Sequence, residues 1–173
     1  LVRDVLVDQQ QSFVVNGNTP SASETDTLAF SGTNGIDLFT VNMAALGTPA
    51  DPVLRLQNSA TAPPLLTLRN YSNFNTLRIN GLDGTDTFNV FTADSTTAPD
   101  RQILIDGGPP TAKKKTTDVL NVFYTPQRPR IIHSAATQNP GSGLVDLAYT
   151  NRRFLVQYVD MEQIVIAKGS ITP

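Results

Sequence analysis

Apolar and polar positions alternate along most of this chain, in runs too short for helices. Such runs occur at Phe13-Val14-Val15, Leu28-Ala29-Phe30, Leu38-Phe39-Thr40-Val41, Val53-Leu54-Arg55-Leu56, Leu66-Thr67-Leu68, Leu77-Arg78-Ile79 and Phe88-Asn89-Val90. They continue at Ile103-Leu104-Ile105, Leu120-Asn121-Val122, Leu144-Val145-Asp146-Leu147, Leu155-Val156-Gln157-Tyr158 and Ile164-Val165-Ile166, with a further run at Val5-Leu6-Val7 near the start. Each is rich in β-branched or aromatic residues, and most are bounded by Gly, Pro, Asn or Asp, which is the signature of short strands. Only residues 41–46 and 159–163 could hold a turn of helix. The pattern predicts an all-β fold.

Four stretches share one motif: an apolar residue, a small polar residue, Gly, a variable gap, then Asp and a short apolar strand. They run from Val15-Asn16-Gly17 to Asp26, from Phe30-Ser31-Gly32 to Asp37, from Ile79-Asn80-Gly81 to Asp86, and from Ile105-Asp106-Gly107 to Asp118. The gap between Gly and Asp is eight, four, four and ten residues. Insertions confined to one corner are what a stack of strand-turn-strand units tolerates, because they project outward. Gly after a strand permits a turn with positive φ. Asp can accept backbone N–H groups across that turn. A second similarity joins Tyr71–Ile79 to Tyr158–Ile166, 87 residues apart. The repeats predict a parallel β-solenoid with outward loops. The alternative is a β-sandwich, which also has many short strands with a turn every ten or so residues. Residues 12–173 read as the solenoid domain and residues 1–11 as a strand lying before it.

Composition narrows the partners. The chain has 173 residues, 16% of them charged, with net charge −2. That balance gives no reason to expect nucleic acid as a partner, and the one basic run, Lys113-Lys114-Lys115, falls in the gap of the last motif copy. Cysteine is absent, which excludes disulfides and thiolate metal sites. No apolar stretch approaches the ~18 residues of a membrane helix, so no membrane insertion is expected. The chain begins at Leu1, which suggests a processed form or a segment. Asn, Thr, Gly, Pro and Ser are abundant while Lys and Glu are sparse, a composition common on bacterial extracellular repeat proteins.

Gly81-Leu82-Asp83-Gly84-Thr85-Asp86-Thr87-Phe88 resembles the nonapeptide G-G-x-G-x-D-x-U-x of RTX-type repeats, with Leu82 in place of the second Gly. Gly32–Phe39 is a weaker copy. More broadly, residues 12–166 resemble the Gly/Asp-repeat segments of large bacterial extracellular surface proteins. The resemblance implies an extracellular or cell-surface location and a structural or adhesive role without catalysis. It also implies calcium as a possible cofactor. Calcium takes six to eight oxygen ligands, and Asp83, Asp86, Asp106 and Asp118 are the candidates if neighbouring copies stack. The departure from RTX repeats is that the two best copies stand 49 residues apart rather than in tandem. In the plainer reading, these aspartates only cap turns.

Little else suggests chemistry. His133 is the only histidine, and Glu occurs only at positions 24 and 162, so neither a catalytic triad nor a glycosidase carboxylate pair stands out. No enzyme activity is expected. Asn70-Tyr71-Ser72 is the only N-x-S/T sequon and makes Asn70 a candidate glycosylation site. The arginines 128, 130, 152 and 153 could meet an anionic glycan.

The ends suggest self-assembly. Ile164-Val165-Ile166-Ala167-Lys168-Gly169 reads as the opening of an unfinished fifth motif copy, and Val5-Leu6-Val7 as a spare strand. Strand exchange between them, through Val5, Leu6, Val7, Ile164 and Ile166, would join copies head to tail as a homopolymer. The expectation is an extracellular structural protein, a subunit of a filament or surface layer. The alternatives are a calcium- or glycan-binding adhesion module and a segment of a longer surface repeat protein.

Overall fold

The computed structural model describes residues 11–16, 27–44, 53–72, 74, 76–94, 101–108, 117–125, 127–139 and 141–169. Among them are thirteen strands and no helix, so the chain is all-β as the alternation predicts. The possible helical turn at 159–163 is instead the end of one strand, a bend and the start of the next. In chain order the strands are β1 (Gln11–Asn16), β2 (Thr27–Ser31), β3 (Leu38–Asn42), β4 (Leu54–Gln57), β5 (Leu66–Ser72), β6 (Thr76–Asn80) and β7 (Thr87–Ala93). They continue as β8 (Arg101–Asp106), β9 (Val119–Thr125), β10 (Arg130–Ala135), β11 (Gly143–Ala148), β12 (Arg153–Val159) and β13 (Gln163–Lys168).

They form two mixed sheets. Sheet A has the order β1-β5-β4-β3-β7-β9-β13, and sheet B the order β10-β11-β12-β8-β6-β2. The middle of each sheet is parallel. Strands β3, β7, β9 and β13 pair side by side in A, and β2, β6, β8 and β12 do so in B. The chain crosses from B to A four times, β2 to β3, β6 to β7, β8 to β9 and β12 to β13, which makes four equivalent two-strand units. Parallel neighbours in one sheet cannot be joined by a hairpin; here the other sheet supplies the return. Outside this block the pairing turns antiparallel, at β3-β4-β5 in sheet A and at β12-β11-β10 in sheet B.

The register places like side chains in columns. Phe39, Phe88, Leu120 and Ile164 stand opposite one another in sheet A, as do Val41, Val90, Val122 and Ile166. In sheet B the columns are Leu28, Leu77, Ile103, Val156 and Phe30, Ile79, Ile105, Tyr158. Both sheets feed one buried cluster. The alternation seen in the sequence is thus the pleat of strands with one face inward. Within the cluster Phe39 and Phe88 stack at 4.9 Å with their planes only 4° apart, because in-register parallel pairing sets identical side chains one strand spacing apart.

Three sequence expectations change. The first motif copy does not make a unit like the others: β1 lies in sheet A beside β5, not in sheet B, and Gly17 and Asp26 fall outside the described residues. The Tyr71–Ile79 and Tyr158–Ile166 stretches each join two strands, but the first goes from A to B and the second from B to A. The partners of Tyr158 across the sheet are Ile105 and Gly143. Finally, β13 closes the fourth unit in sheet A and does not open a fifth.

Candidate functional site

The feature that repeats is the corner between the sheets. In each unit a carboxylate immediately precedes the sheet A strand, and in the second, third and fourth units its oxygen accepts the backbone N–H of the corresponding residue in the preceding unit. Asp37 N–H donates to Asp86 Oδ1 at 2.9 Å, Asp86 N–H to Asp118 Oδ1 at 2.7 Å, and Asp118 N–H to Glu162 Oε2 at 2.6 Å. Backbone bonds run alongside: Thr87 N–H donates to Asp37 O, Val119 N–H to Asp86 O, and Gln163 N–H to Asp118 O. Three acidic side chains, Asp86, Asp118 and Glu162, therefore link the four units in a continuous ladder between residues 49, 32 and 44 positions apart in sequence. Asp37 closes its own turn as well, with Oδ2 accepting Thr33 N–H at 2.6 Å and Thr33 Oγ1–H at 3.0 Å.

The glycines explain the spacing. None of Gly32, Gly81 and Gly107 has a left-handed φ; that conformation falls on Leu82 (73°) and Gly108 (97°). What these three positions need is room. A Cβ on Gly32 or Gly81 would fall onto Oδ2 of the carboxylate in its own unit, and one on Gly107 would lie 3.0 Å from Asp118 Oδ2. The same Cβ on Gly32 would also lie 2.9 Å from Gly81 O, and on Gly81 2.8 Å from Gly107 O. Gly and Asp recur together because the carboxylate packs on the bare glycine Cα while the next unit passes across it.

Burial makes the ladder electrostatically costly. Asp37 and Asp86 are wholly buried and Asp118 nearly so, and Asp37 Oδ1 and Asp86 Oδ2 have no hydrogen-bond partner among the described residues. Burial pushes the Asp86 carboxyl up to about 7; the Asp37 N–H opposes the rise, and the neighbouring Asp118 and Asp37 carboxylates add to it. Burial likewise raises Asp118 to about 6, opposed by the Asp86 N–H and assisted by Glu162 and Asp160. A stack of like charges taken from water holds its protons more tightly.

No family model, curated protein or solved structure matches the chain.

The sequence-derived candidates are distributed as follows. Asp86 and Asp118 are adjacent rungs of the ladder. Asp83 is exposed at the corner of the second unit. Asp106 forms an ion pair with Arg78 at 2.9 Å and accepts Gly108 N–H at 3.2 Å. Among the described residues no group of three or more His, Asp or Glu side chains is arranged to hold a metal ion. Asn70 lies on β5, its backbone opposite Val14 of β1. Ile164 and Ile166 are the inward residues of β13, and Val5, Leu6 and Val7 lie outside the described residues. His133 sits on β10, a strand the alternation did not predict, and its Nε2 lies 2.7 Å from Tyr158 Oη.

Glu162 is the rung that sequence reasoning missed, since no Gly or Asp marks it. A signal was present: it stands two and four residues before the inward Ile164 and Ile166, as Asp86 stands before Phe88 and Val90. The extra methylene lets the carboxylate reach back from an exposed position. Glu162→Ala should cost about 1 kcal/mol, because Asp118 N–H can recruit water at this less buried end. Chemical denaturation of the two chains measures it.

Proposed function

We propose that this chain is an extracellular structural protein with a β-solenoid fold, a subunit of a filament or surface layer that assembles head to tail through its sheet edges. The observation that carries the reading is the ladder Asp37–Asp86–Asp118–Glu162. It ties each unit to the next through backbone N–H groups and devotes a recurrent set of acidic side chains to holding units in register. A recurrent corner devoted to stacking suits a chain whose work is to be a scaffold. The strand order favours a solenoid over a sandwich, because four successive B-to-A units pair in parallel, whereas sandwich sheets are built from antiparallel strands. The extracellular assignment rests on the Thr/Asn/Gly-rich, Lys-poor composition and on the resemblance to surface-protein repeats.

Electron microscopy and light scattering of the purified chain over a range of concentrations test the role. The expected result is concentration-dependent filaments with an axial repeat near 34 Å, the thickness of seven strands spaced ~4.8 Å apart. A monomer at every concentration overturns the filament reading. Filaments that dissolve in chelator would assign calcium to the joint between subunits.

A further inference from the structure

Among the described residues the two sheets end out of step. Past the first unit, sheet A continues for three strands, β4, β5 and β1, while sheet B stops at β2. Past the fourth unit, sheet B continues for two strands, β11 and β10, while sheet A stops at β13. Each end of the block is therefore a step, and the two steps face opposite ways, three strands deep at one end and two at the other.

Along the columns that span the four units, the partly covered inward residues are those on the recessed edges, β13 and β2. In sheet A, Phe39, Val41, Phe88, Val90, Leu120 and Val122 are fully buried, whereas Ile164 and Ile166 on β13 are only partly covered. In sheet B the equivalent inward residues of β6, β8 and β12 are no more than 3% exposed, whereas Leu28 and Phe30 on β2 are partly covered. Isolated edges of this kind are usually guarded by charge, Pro or a bulge. Here β2 (Thr27–Ser31) carries no charge and β13 (Gln163–Lys168) carries one, at its last residue.

Strand direction identifies the occupant. In sheet A every strand except β4 runs the same way, so β1 at one edge is parallel to β13 at the other. Translating the molecule along its stacking direction brings β1 of a second copy beside β13 with the polarity that β9 already has. The strand count then decides which edges touch. Sheet A overhangs by three strands and sheet B by two, so when β13 meets β1, β10 and β2 remain about one strand spacing, ~4.8 Å, short of pairing.

We propose that a second copy of this chain docks on β13 through its own β1 in parallel, and that β10 and β2 do not pair. This rests on the head-to-tail reading above and names its contact. The joint is heterologous, so it propagates into an open filament.

Register chooses the probe. Val165 lies in one cross-strand column with Asn121, Asn89, Thr40, Arg55, Thr67 and Ser12, so in the joint Val165 stands opposite Ser12 of the next copy. Ser134 and Ala29 are related in the same way through Leu144, Gln157, Leu104 and Arg78. The natural chain has no cysteine, so any disulfide reports an introduced pair, and parallel neighbours lie within disulfide reach. Mixing Ser12→Cys chains with Val165→Cys chains and oxidising them should convert the mixture to a cross-linked species on a non-reducing gel. Neither chain alone should give it, and a mixture of Ser134→Cys and Ala29→Cys chains should not. Filaments that form without the Ser12–Val165 cross-link, or with the Ser134–Ala29 one instead, overturn this joint and leave the filament reading standing. Absence of any assembly in the cysteine-free chain overturns both.

Discussion

Gly81→Ala should destabilise the chain by more than about 3 kcal/mol, the upper end of what one added methyl does to a packed interior. The methyl would fall onto Asp86 Oδ2, 2.8 Å from Gly107 O and 3.1 Å from Phe88 Cζ. Two of those neighbours belong to the residue's own unit and the third to the backbone of the next, so no single rotamer change relieves the crowding. Either the carboxylate leaves its place, which strips Asp37 N–H of its acceptor, or the third unit moves off the second. Gly35→Ala is the control at the same corner. There a Cβ meets only Thr33 Oγ1 at 3.4 Å, and the backbone has no left-handed φ, so the change should lie within about 0.5 kcal/mol. The double variant Gly81→Ala with Asp86→Ala should cost less than the sum of the single ones, because removing the carboxylate empties part of the space that the methyl needs. Urea denaturation of the four chains decides it. Equal losses for Gly81→Ala and Gly35→Ala would mean that glycine serves the corner through backbone freedom after all.

The same corner marks how far the sequence could be read. The strands were legible because their inner faces alternate strictly; β6, for example, buries Leu77 and Ile79 and leaves Arg78 outside. The stacking of units was legible because Gly and Asp recur at the corner in three of the four. The reason for the glycine was not legible, since a turn formed by φ and a turn formed by lack of space leave the same letter. Nor was the true partner of the aspartate: the sequence suggested a bond within its own turn, and the longest-reaching bonds instead cross to a residue 32 or 49 positions away. The antiparallel additions β4-β5 and β11-β10 were hidden for a different reason. Strand periodicity is the same whether the neighbour runs parallel or antiparallel, so pairing direction cannot be read from it. Strand β10 itself was missed because it lies at an edge with five of its six residues exposed, and an edge strand has no inward face to impose alternation. Those additions step the two ends, so the shape of each end depends on pairing directions that periodicity does not record.

The stability of the fold should fall as pH rises from about 4 to about 7. A carboxyl raised from its ordinary value of 3.8 to about 7, as Asp86 is, or to about 6, as Asp118 is, binds its proton more tightly in the fold than in the unfolded chain. The unfolded state releases these protons near pH 4 and the folded state only near pH 6 to 7. Their contribution is therefore fully present below about 4 and is lost as pH climbs through the folded values, a change on the order of 2–4 kcal/mol. This is opposite in sign to Asp146, whose carboxylate is held below the ordinary range by its hydrogen bonds from Arg153 and which supports stability only above about 4. Two substitutions at Asp86 separate charge from hydrogen bonding. Asp86→Asn keeps an oxygen for Asp37 N–H and carries no charge, so it should flatten the dependence between pH 5 and 8 and leave the chain at pH 8 at least as stable as the natural one. Asp86→Ala removes the acceptor as well and orphans a buried N–H, which costs about 2–3 kcal/mol at pH 5, where the natural side chain is protonated and still accepts that bond. Denaturant midpoints of the three chains at pH 5, 6, 7 and 8 test this directly. An Asp86→Asn chain with the same slope as the natural one would show that the pH dependence arises elsewhere. Equal stability of Asp86→Ala and Asp86→Asn at pH 5 would show that the rung's hydrogen bond does not hold the units in register.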